Sequence, residues 1–259
     1  MSQDKRFAVL IDADNVAPKF IGGILDELSN EGTLTYKRIY GDWTRPDLGA
    51  WKKVLLDYSI TPIQQYSYTS GKNATDSAMI IDAMDILYAG KVEGFCIVSS
   101  DSDFTRLAAR LREAGEYVIG MGEQKTPKPF IAACDKFKYL EVLTRNSTAS
   151  ESDKRRSGSQ PAQEHEPDLP AAVDTPQTSM KVIRKAIIAI IDEISDDEGW
   201  APLSHIGNIL LKRYPDFDVR NYGFLKLTKL MKSCNCFEIN ATRNKDGNKM
   251  VYVRNIELK

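Results

Sequence analysis

The sequence has few of the residues that build disulfide networks and zinc sites. It holds four cysteines and two histidines among 259 residues. The cysteines lie in apolar or mixed surroundings and lack the spacing of zinc ligands. His165 falls in a stretch poor in apolar residues, and His205 falls within a helical pattern. These positions give no support to a zinc centre or to a Ser-His-Asp triad.

Long apolar runs and phosphate-binding glycine loops are also missing. No run approaches the roughly 18 apolar residues that a membrane span needs. The apolar run at residues 7–11 is too short for the core of a secretory leader. Neither a Walker loop nor a GxGxxG motif follows a strand. With 42% hydrophobic and 27% charged residues, the chain is expected to be globular, soluble and cytoplasmic, without membrane contact.

The composition changes abruptly at residues 147–178. This segment has no aromatic and almost no branched aliphatic residues, so it cannot bury enough surface to offset the entropy of ordering it. We predict a disordered linker there, with one domain at residues 1–146 and a second at residues 179–259. The net charge of −1 conceals an asymmetry, because the second domain carries 14 basic and 10 acidic residues. That excess suggests a polyanionic partner.

Short apolar strands alternate with helical patterns in the first domain. Continuous apolar segments such as FAVLI and FCIV are typical of strands that are buried on both faces. The alternation predicts an α/β fold, a parallel sheet with helices on both faces. The predicted strands are at residues 7–11, 35–40, 61–66, 94–99 and 117–121. The predicted helices are near residues 18–30, 46–58, 75–89, 103–114 and 127–135.

Three acidic segments occupy related places in this pattern. IDADN follows the first strand, KNATD opens the third helix, and SSDSDF follows the fourth strand. Each acid alone has a simpler explanation, since an acid near a helix start caps the helix or favours its dipole. Ligands of parallel sheets, however, bind beyond the carboxyl ends of the strands. We therefore expect four carboxylates to share one crevice, those of Asp12, Asp76, Asp101 and Asp103.

Carboxylates gathered in one crevice need protons or cations. Two carboxylates about 4 Å apart repel by roughly 4 kcal/mol at an effective dielectric of 20. An oxygen-only group without histidine suits Mg²⁺ or Mn²⁺, which keep several waters and bind phosphates directly. Such an ion can activate water and neutralise the leaving oxygen of a phosphodiester. The sequence therefore points to phosphate chemistry.

An ordered series of motifs carries a family resemblance. The segments are LIDADN, YGDW, SGKNATDSAMIIDAMDIL, VSSDSDFTRLAARLREAG and ACDKF, spread over residues 6–143. Together they resemble the NYN domain of the PIN-like nuclease superfamily, in its LabA-like bacterial branch. The resemblance implies a Rossmann-like sheet, an acidic site for Mg²⁺ or Mn²⁺, and RNA as the substrate.

The resemblance also assigns roles to individual residues. The family's catalytic and metal-binding acids match Asp12, Asp76, Asp101 and Asp103. Asn15 matches the asparagine after the first strand, and we expect it to have a positioning role in catalysis. Asp82 matches an acid of unassigned role, and six residues of helix turn it away from Asp76. Ser99 and Ser100 are candidates to hydrogen-bond the acids. Candidate phosphate contacts near these motifs are Lys72, Lys125 and Lys128.

Residues 179–259 show a different pattern. Three helical segments precede two strands joined by a turn at residues 245–247, and this order predicts a winged helix. The run GW…LSHIGNILLKRYPDFDVRNYGFLKLTKLMKS resembles the OST-HTH, or LOTUS, domain, which implies RNA binding or protein docking. Candidate RNA contacts lie on the third helix and the hairpin. They are Lys226, Lys229, Lys232, Arg243, Lys245 and Lys249.

Three functional hypotheses follow from these observations. The first is a metal-dependent endoribonuclease whose second domain recruits RNA. The alternative is a non-catalytic regulatory RNA-binding adaptor with a vestigial acidic site. The third is a phosphatase of the haloacid-dehalogenase type, with Asp12 as nucleophile and Asp14 as acid/base. The sequence disfavours this third hypothesis, because it lacks a clear cap and a lysine shortly before the second acidic motif.

Overall fold

The computed structural model of the protein describes residues 4–66, 73–143, 178–243 and 249–256. Contacts divide the chain into two units, Met1–Pro176 and Gln177–Lys259. The predicted linker at residues 147–178 lies outside the described residues except for Thr178. The backbone N–H and the hydroxyl of Thr178 both donate to the carboxylate of Asp216, within the second unit.

The first unit is built around a six-stranded sheet in which every neighbouring pair is parallel. The strand order is β3-β2-β1-β4-β5-β6. The strands are β1 (Arg6–Asp12), β2 (Thr33–Gly41), β3 (Thr61–Gln64), β4 (Gly94–Val98), β5 (Tyr117–Gly122) and β6 (Lys136–Tyr139).

The central strands are buried on both faces. A strand in this position needs apolar residues throughout, because helices cover both sides of the sheet. In β1, Val9 and Ile11 enter the core on one face, while Ala8 and Leu10 enter the core on the other. Strand β4 is buried along its whole length. The predicted α/β fold is therefore confirmed.

Five α-helices with both ends inside the described residues cover the sheet, and residues 140–143 are helical as well. The first two, α1 and α2, pack on one face, and α3, α4 and α5 pack on the other. Three short 3₁₀ helices, Pro18–Phe20, Pro46–Ala50 and Ser102–Phe104, lead into α1, α2 and α4. The α-helices are α1 (Ile21–Ser29), α2 (Trp51–Asp57), α3 (Ala74–Ala89), α4 (Thr105–Glu113) and α5 (Lys128–Ala133).

The second unit contains three further helices and a small antiparallel sheet of order β7-β9-β8. The isoleucines of α6 at positions 183, 187, 190 and 191 recur every three or four residues and fill the core. This arrangement confirms the predicted winged helix. Its elements are α6 (Met180–Ile194), β7 (Ala201–Pro202), α7 (Leu203–Arg213), α8 (Leu227–Ser233), β8 (Phe237–Arg243) and β9 (Lys249–Asn255).

The third helix of this unit is shorter than its sequence pattern suggests. Residues Val219–Tyr222 form a separate 3₁₀ helix, which ends at Gly223 with a φ of 80°. A left-handed glycine ends a helix because it turns the chain away from the helical path. Helix α8 therefore starts only at Leu227.

The helices in the described parts of the chain are all too short or too polar to span a bilayer.

Candidate acidic metal site

The candidate site lies where two adjacent strands end. Strand β1 ends at Asp12 and β4 ends at Val98, and the two strands pair directly. The chain leaves them in opposite directions along the sheet, since β2 lies beyond β1 and β5 lies beyond β4. Such a switch point opens a crevice at the carboxyl edge of a parallel sheet.

Three carboxylates meet at this edge. One oxygen from each of Asp76, Asp101 and Asp103 lies within 4.8 Å of the others. Asp76 is in the first turn of α3, and Asp101 and Asp103 follow β4. Asp101 also caps the 3₁₀ helix, because its Oδ1 accepts a hydrogen bond from the N–H of Asp103 at 2.9 Å. Capping a helix and facing the other acids are thus compatible for Asp101.

Asp12 lies beside this group rather than within it. Its side chain is fully buried, and each carboxylate oxygen accepts a hydrogen bond. Oδ1 accepts from the N–H of Asp14 at 3.0 Å, and Oδ2 accepts from Asn15 Nδ2 at 2.7 Å and Ser99 Oγ at 2.8 Å. Burial raises the pKa of Asp12, while these hydrogen bonds oppose the rise. The charge of Asp12 nevertheless acts on Asp76.

Asp76 has the most perturbed carboxyl group of the site. Burial raises its pKa to about 6, and the charges of Asp12, Asp101, Asp103 and Asp14 add to this effect. A carboxylate at a helix start would ordinarily be stabilised by the helix dipole. Partial burial and the neighbouring negative charges therefore outweigh the dipole, and no lysine or arginine among the described residues forms an ion pair with the ionised group.

Neutral side chains hold the acids in place. Ser99 bridges two of the segments, because its hydroxyl donates to Asp12 and accepts from the N–H of Asp101 at 3.1 Å. The amide of Asn73 donates to Asp103 Oδ2, and this contact ties the start of α3 to the segment after β4. Sequence reasoning missed Asn73, although it stands three residues before Asp76. Among the described residues Ser100 forms no hydrogen bond with an acid side chain; its Oγ accepts from the N–H of Glu123 at 2.9 Å.

Two other acids of the motifs have basic partners. Asp14 forms an ion pair with Arg45 at 2.7 Å. Asp82 accepts from both Arg38 Nη1 and Tyr40 Oη, on the side of α3 that faces β2. Asp82 therefore has a structural role in joining α3 to β2, which agrees with its expected position outside the acidic group.

The predicted lysines of the first unit are placed differently from one another. Lys72 lies outside the described residues. Lys125 forms an ion pair with Glu123 at 2.8 Å. Lys128 is exposed at the start of α5, which packs against the 3₁₀ helix after β4.

In the second unit, Lys245 lies outside the described residues. Lys226 immediately precedes α8, and Lys229 and Lys232 are on it. Arg243 and Lys249 stand at the facing ends of β8 and β9. All five of these described side chains are exposed, as a nucleic-acid contact requires.

The donor set fits a hard divalent cation. Asp76, Asp101 and Asp103 offer only oxygen atoms, which suit Mg²⁺ or Mn²⁺ and do not suit softer metals. Within the described parts of the chain, no lysine or arginine forms an ion pair with any of these three acids. Asp76 and Asp101 are partly buried and Asp103 is exposed, so an ion can reach the group from solvent.

A Rossmann-like sheet with carboxylates at its switch point agrees with a nuclease-like fold. The family model of the NYN domain matches residues 6–141, which is more than half of the sequence. The chain belongs to the NYN domain family, a PIN-like nuclease family whose members usually use divalent metals. The model of the OST-HTH/LOTUS domain, which binds RNA, matches residues 177–248.

Similar solved structures have been found as well. A protein of unknown function from Vibrio parahaemolyticus is 18% identical over 53% of this chain and 93% of that chain, with a TM-score of 0.45. An uncharacterized protein from Nitrosomonas europaea is 34% identical over 40% of this chain and 92% of that chain, with a TM-score of 0.28. No curated protein matches the sequence. The two family models therefore identify the chain.

Proposed function

We propose that this chain is an endoribonuclease that hydrolyses RNA phosphodiester bonds with Mg²⁺ or Mn²⁺. The nuclease domain is residues 1–146, and a domain at residues 179–259, beyond the linker at 147–178, holds RNA. One observation carries the proposal. Three carboxylates converge at the switch point of an NYN sheet, and none of them forms an ion pair with a lysine or arginine among the described residues.

The acids have distinct parts in this proposal. Asp76, Asp101 and Asp103 would hold the ion, with Asp12 beside them. When bound, Mg²⁺ or Mn²⁺ supplies an activated water and stabilises charge on the leaving oxygen. Asn15 and Ser99 act as positioning residues, because they fix the orientation of the Asp12 carboxylate. Asn73 does the same for Asp103.

The exposure of the site supports cutting within a strand. Asp103 is exposed, and Asp76 and Asp101 are partly buried. A strand can then cross the edge without first presenting an end. In the second unit, the exposed side chains of Lys226, Lys229, Lys232, Arg243 and Lys249 are proposed to contact phosphates of the same RNA.

Cleavage of circular RNA tests both the activity and its endonucleolytic character. The full chain is incubated with circular and linear RNA in EDTA, Mg²⁺ or Mn²⁺. We expect the circle to be opened only with metal. Asp101→Asn should abolish opening and retain RNA binding, because the amide keeps the helix cap but loses the charge. Asp85→Asn is the matched control, since Asp85 is an exposed acid on α3 outside the acidic group.

The adaptor alternative predicts a different result. RNA would bind to the chain but would not be cut in the presence of either metal. Calorimetry would show the same Mn²⁺ binding for the wild type and for Asp101→Asn. Equal cleavage by wild type and Asp101→Asn would instead reveal a contaminating nuclease and would remove the support for the proposal.

A further inference from the structure

The arginines of the first unit differ in whether they form ion pairs, and this difference bears on how RNA is held. Six arginines lie in its described part, and four of them form ion pairs: Arg6 with Glu93, Arg38 with Asp82, Arg45 with Asp14 and Asp47, and Arg112 with Asp135. The other two are Arg106 and Arg110. Neither has a carboxylate partner among the described residues, and both side chains are exposed.

These two arginines share one face of α4. They are four residues apart, so they lie one above the other on the helix, separated by about 6 Å along its axis. Leu107, Ala108 and Leu111 form the opposite, buried face. The exposed face is therefore fixed by packing, and both guanidinium groups remain directed towards solvent.

Helix α4 begins at the acidic group. The 3₁₀ helix Ser102–Phe104 runs directly into α4, and Arg106 is three residues after Asp103. In a βαβ unit the helix runs back along the sheet towards the start of the next strand, so Arg110 lies further from the carboxyl edge than Arg106. Lys128, at the start of α5, lies on a helix that packs against both α4 and the same 3₁₀ helix.

We propose that Arg106, Arg110 and Lys128 form a phosphate track for single-stranded RNA that leads away from the acidic group over α4. This inference rests on the proposed function. Arg106 and Arg110 have no ion-pair partner among the described residues. Their positive charges therefore lower the repulsion between the acidic group and an incoming RNA strand. The guanidinium groups bind phosphates in a fixed, forked geometry, one turn of helix apart. The next exposed residue on this face of α4 is Glu113, whose negative charge repels phosphate and ends the track.

The salt dependence of RNA binding tests the track. Binding of a short, unstructured RNA to the full chain is measured in EDTA at several salt concentrations, so that cleavage has no influence. Arg106→Gln/Arg110→Gln should weaken binding on the order of tenfold at low salt, and should reduce the slope of log K against log salt by about 1.4, or 0.7 for each phosphate. Arg106→Lys/Arg110→Lys keeps the charges and should restore most of the slope.

The control removes two positive charges elsewhere on the same unit. Lys5 and Lys91 are exposed at the opposite edge of the sheet, just before β1 and β4. Lys5→Gln/Lys91→Gln should leave the slope unchanged. Both double variants retain the second unit, so a difference between them arises in the first unit. An equal loss in the control, or an unchanged slope in the arginine variant, would overturn the track.

The salt dependence of RNA binding tests the track independently of catalysis. A wild-type chain that binds RNA but cleaves none would refute the proposed nuclease, while a reduced slope in the arginine variant would still support the track. A chain that cleaves RNA but shows an unchanged slope would refute the track alone.

Discussion

The hydroxyl of Ser99 donates a hydrogen bond of 2.8 Å to the carboxylate of Asp12, and it joins the ends of two adjacent strands. Both residues are fully buried. The same hydroxyl accepts from the N–H of Asp101, so one oxygen atom links the buried acid to the segment that carries two of the clustered acids. The geometry of the acidic group therefore depends on a neutral residue.

Ser99→Ala is expected to lower stability and metal affinity together. It removes a donor to a buried carboxylate and an acceptor from a backbone N–H, at a cost of about 1–3 kcal/mol. Hydrogen exchange of the β1 and β4 amides measures the stability of the first unit alone. Ser29→Ala is the control, because Ser29 is exposed at the end of α1 and its hydroxyl donates to the carbonyl of Asp26, away from the acidic group. Unchanged exchange and Mn²⁺ affinity in Ser99→Ala would contradict the linking role.

Asp76→Asn is expected to stabilise the metal-free protein at pH 7.5. The pKa of Asp76 is raised from 3.8 to about 6 in the folded protein, so the unfolded chain loses this proton at a lower pH. The contribution of Asp76 to the free energy of unfolding is therefore fully present below about pH 4, and it is lost as the pH rises towards 6. Because the carboxylate is partly solvated, we expect a gain on the order of 1 kcal/mol rather than the full value of the shift.

Thermal unfolding of wild type and Asp76→Asn in EDTA, at pH 4 and pH 7.5, checks this prediction. The two proteins should have similar unfolding temperatures at pH 4 and differ at pH 7.5. Added Mn²⁺ should raise the unfolding temperature of the wild type more than that of the variant, since bound ligand stabilises the folded state. A variant that is less stable than the wild type at pH 7.5 would show that the group is not electrostatically strained.

Gly122→Ala should disturb the acidic group without changing an acid. A Cβ at this position would lie 2.5 Å from Thr126 Oγ1 and 2.7 Å from the backbone oxygen of Ser99. The backbone around Ser99 would have to shift, and the hydrogen bonds to Asp12 and Asp101 would lengthen. We expect weaker Mn²⁺ binding by calorimetry. At Gly49 a Cβ meets no atom within 4 Å, so Gly49→Ala is the control, and equal Mn²⁺ affinities in the two variants would be evidence against the contact.

Asp82→Asn should affect folding and leave the metal site intact. Arg38 and Tyr40 both donate to this carboxylate, and burial and the neighbouring negative charge raise the pKa of Tyr40. Replacing the acid leaves a half-buried guanidinium without its counter-ion, which costs about 1–3 kcal/mol. The exchange of β2 amides should accelerate while Mn²⁺ affinity is unchanged. A loss of Mn²⁺ affinity instead would place Asp82 in the site.

The fold was predictable from the sequence where full burial of a strand requires an apolar residue at every position. FAVLI and FCIV are apolar at every position because β1 and β4 have neighbours on both sides and helices on both faces. Strand β6 was missed because it alternates charged with aromatic residues. Its two lysines pair with Glu31 and Glu27, so an edge strand that resembles a surface loop in sequence belongs to the sheet.

The site was predictable in part. The spacing of the acids after strands predicted a shared crevice, and the structure brings Asp76, Asp101 and Asp103 together. The sequence could not reveal that Asp12 is fully buried, because its partner Ser99 is distant in the chain. It also could not separate Arg106 and Arg110, which form no ion pair with a described residue, from the paired arginines, since each pairing depends on tertiary contacts.

The order of the strands sets the moment at which the acidic group is completed. β4 inserts beside β1 after β2 and β3 have already been made, and Asp101 and Asp103 follow β4. A nascent chain that ends before β4 therefore holds Asp12 and Asp76 without their partners. The acidic group is therefore complete only when the segment after β4 has been made and β4 has paired with β1.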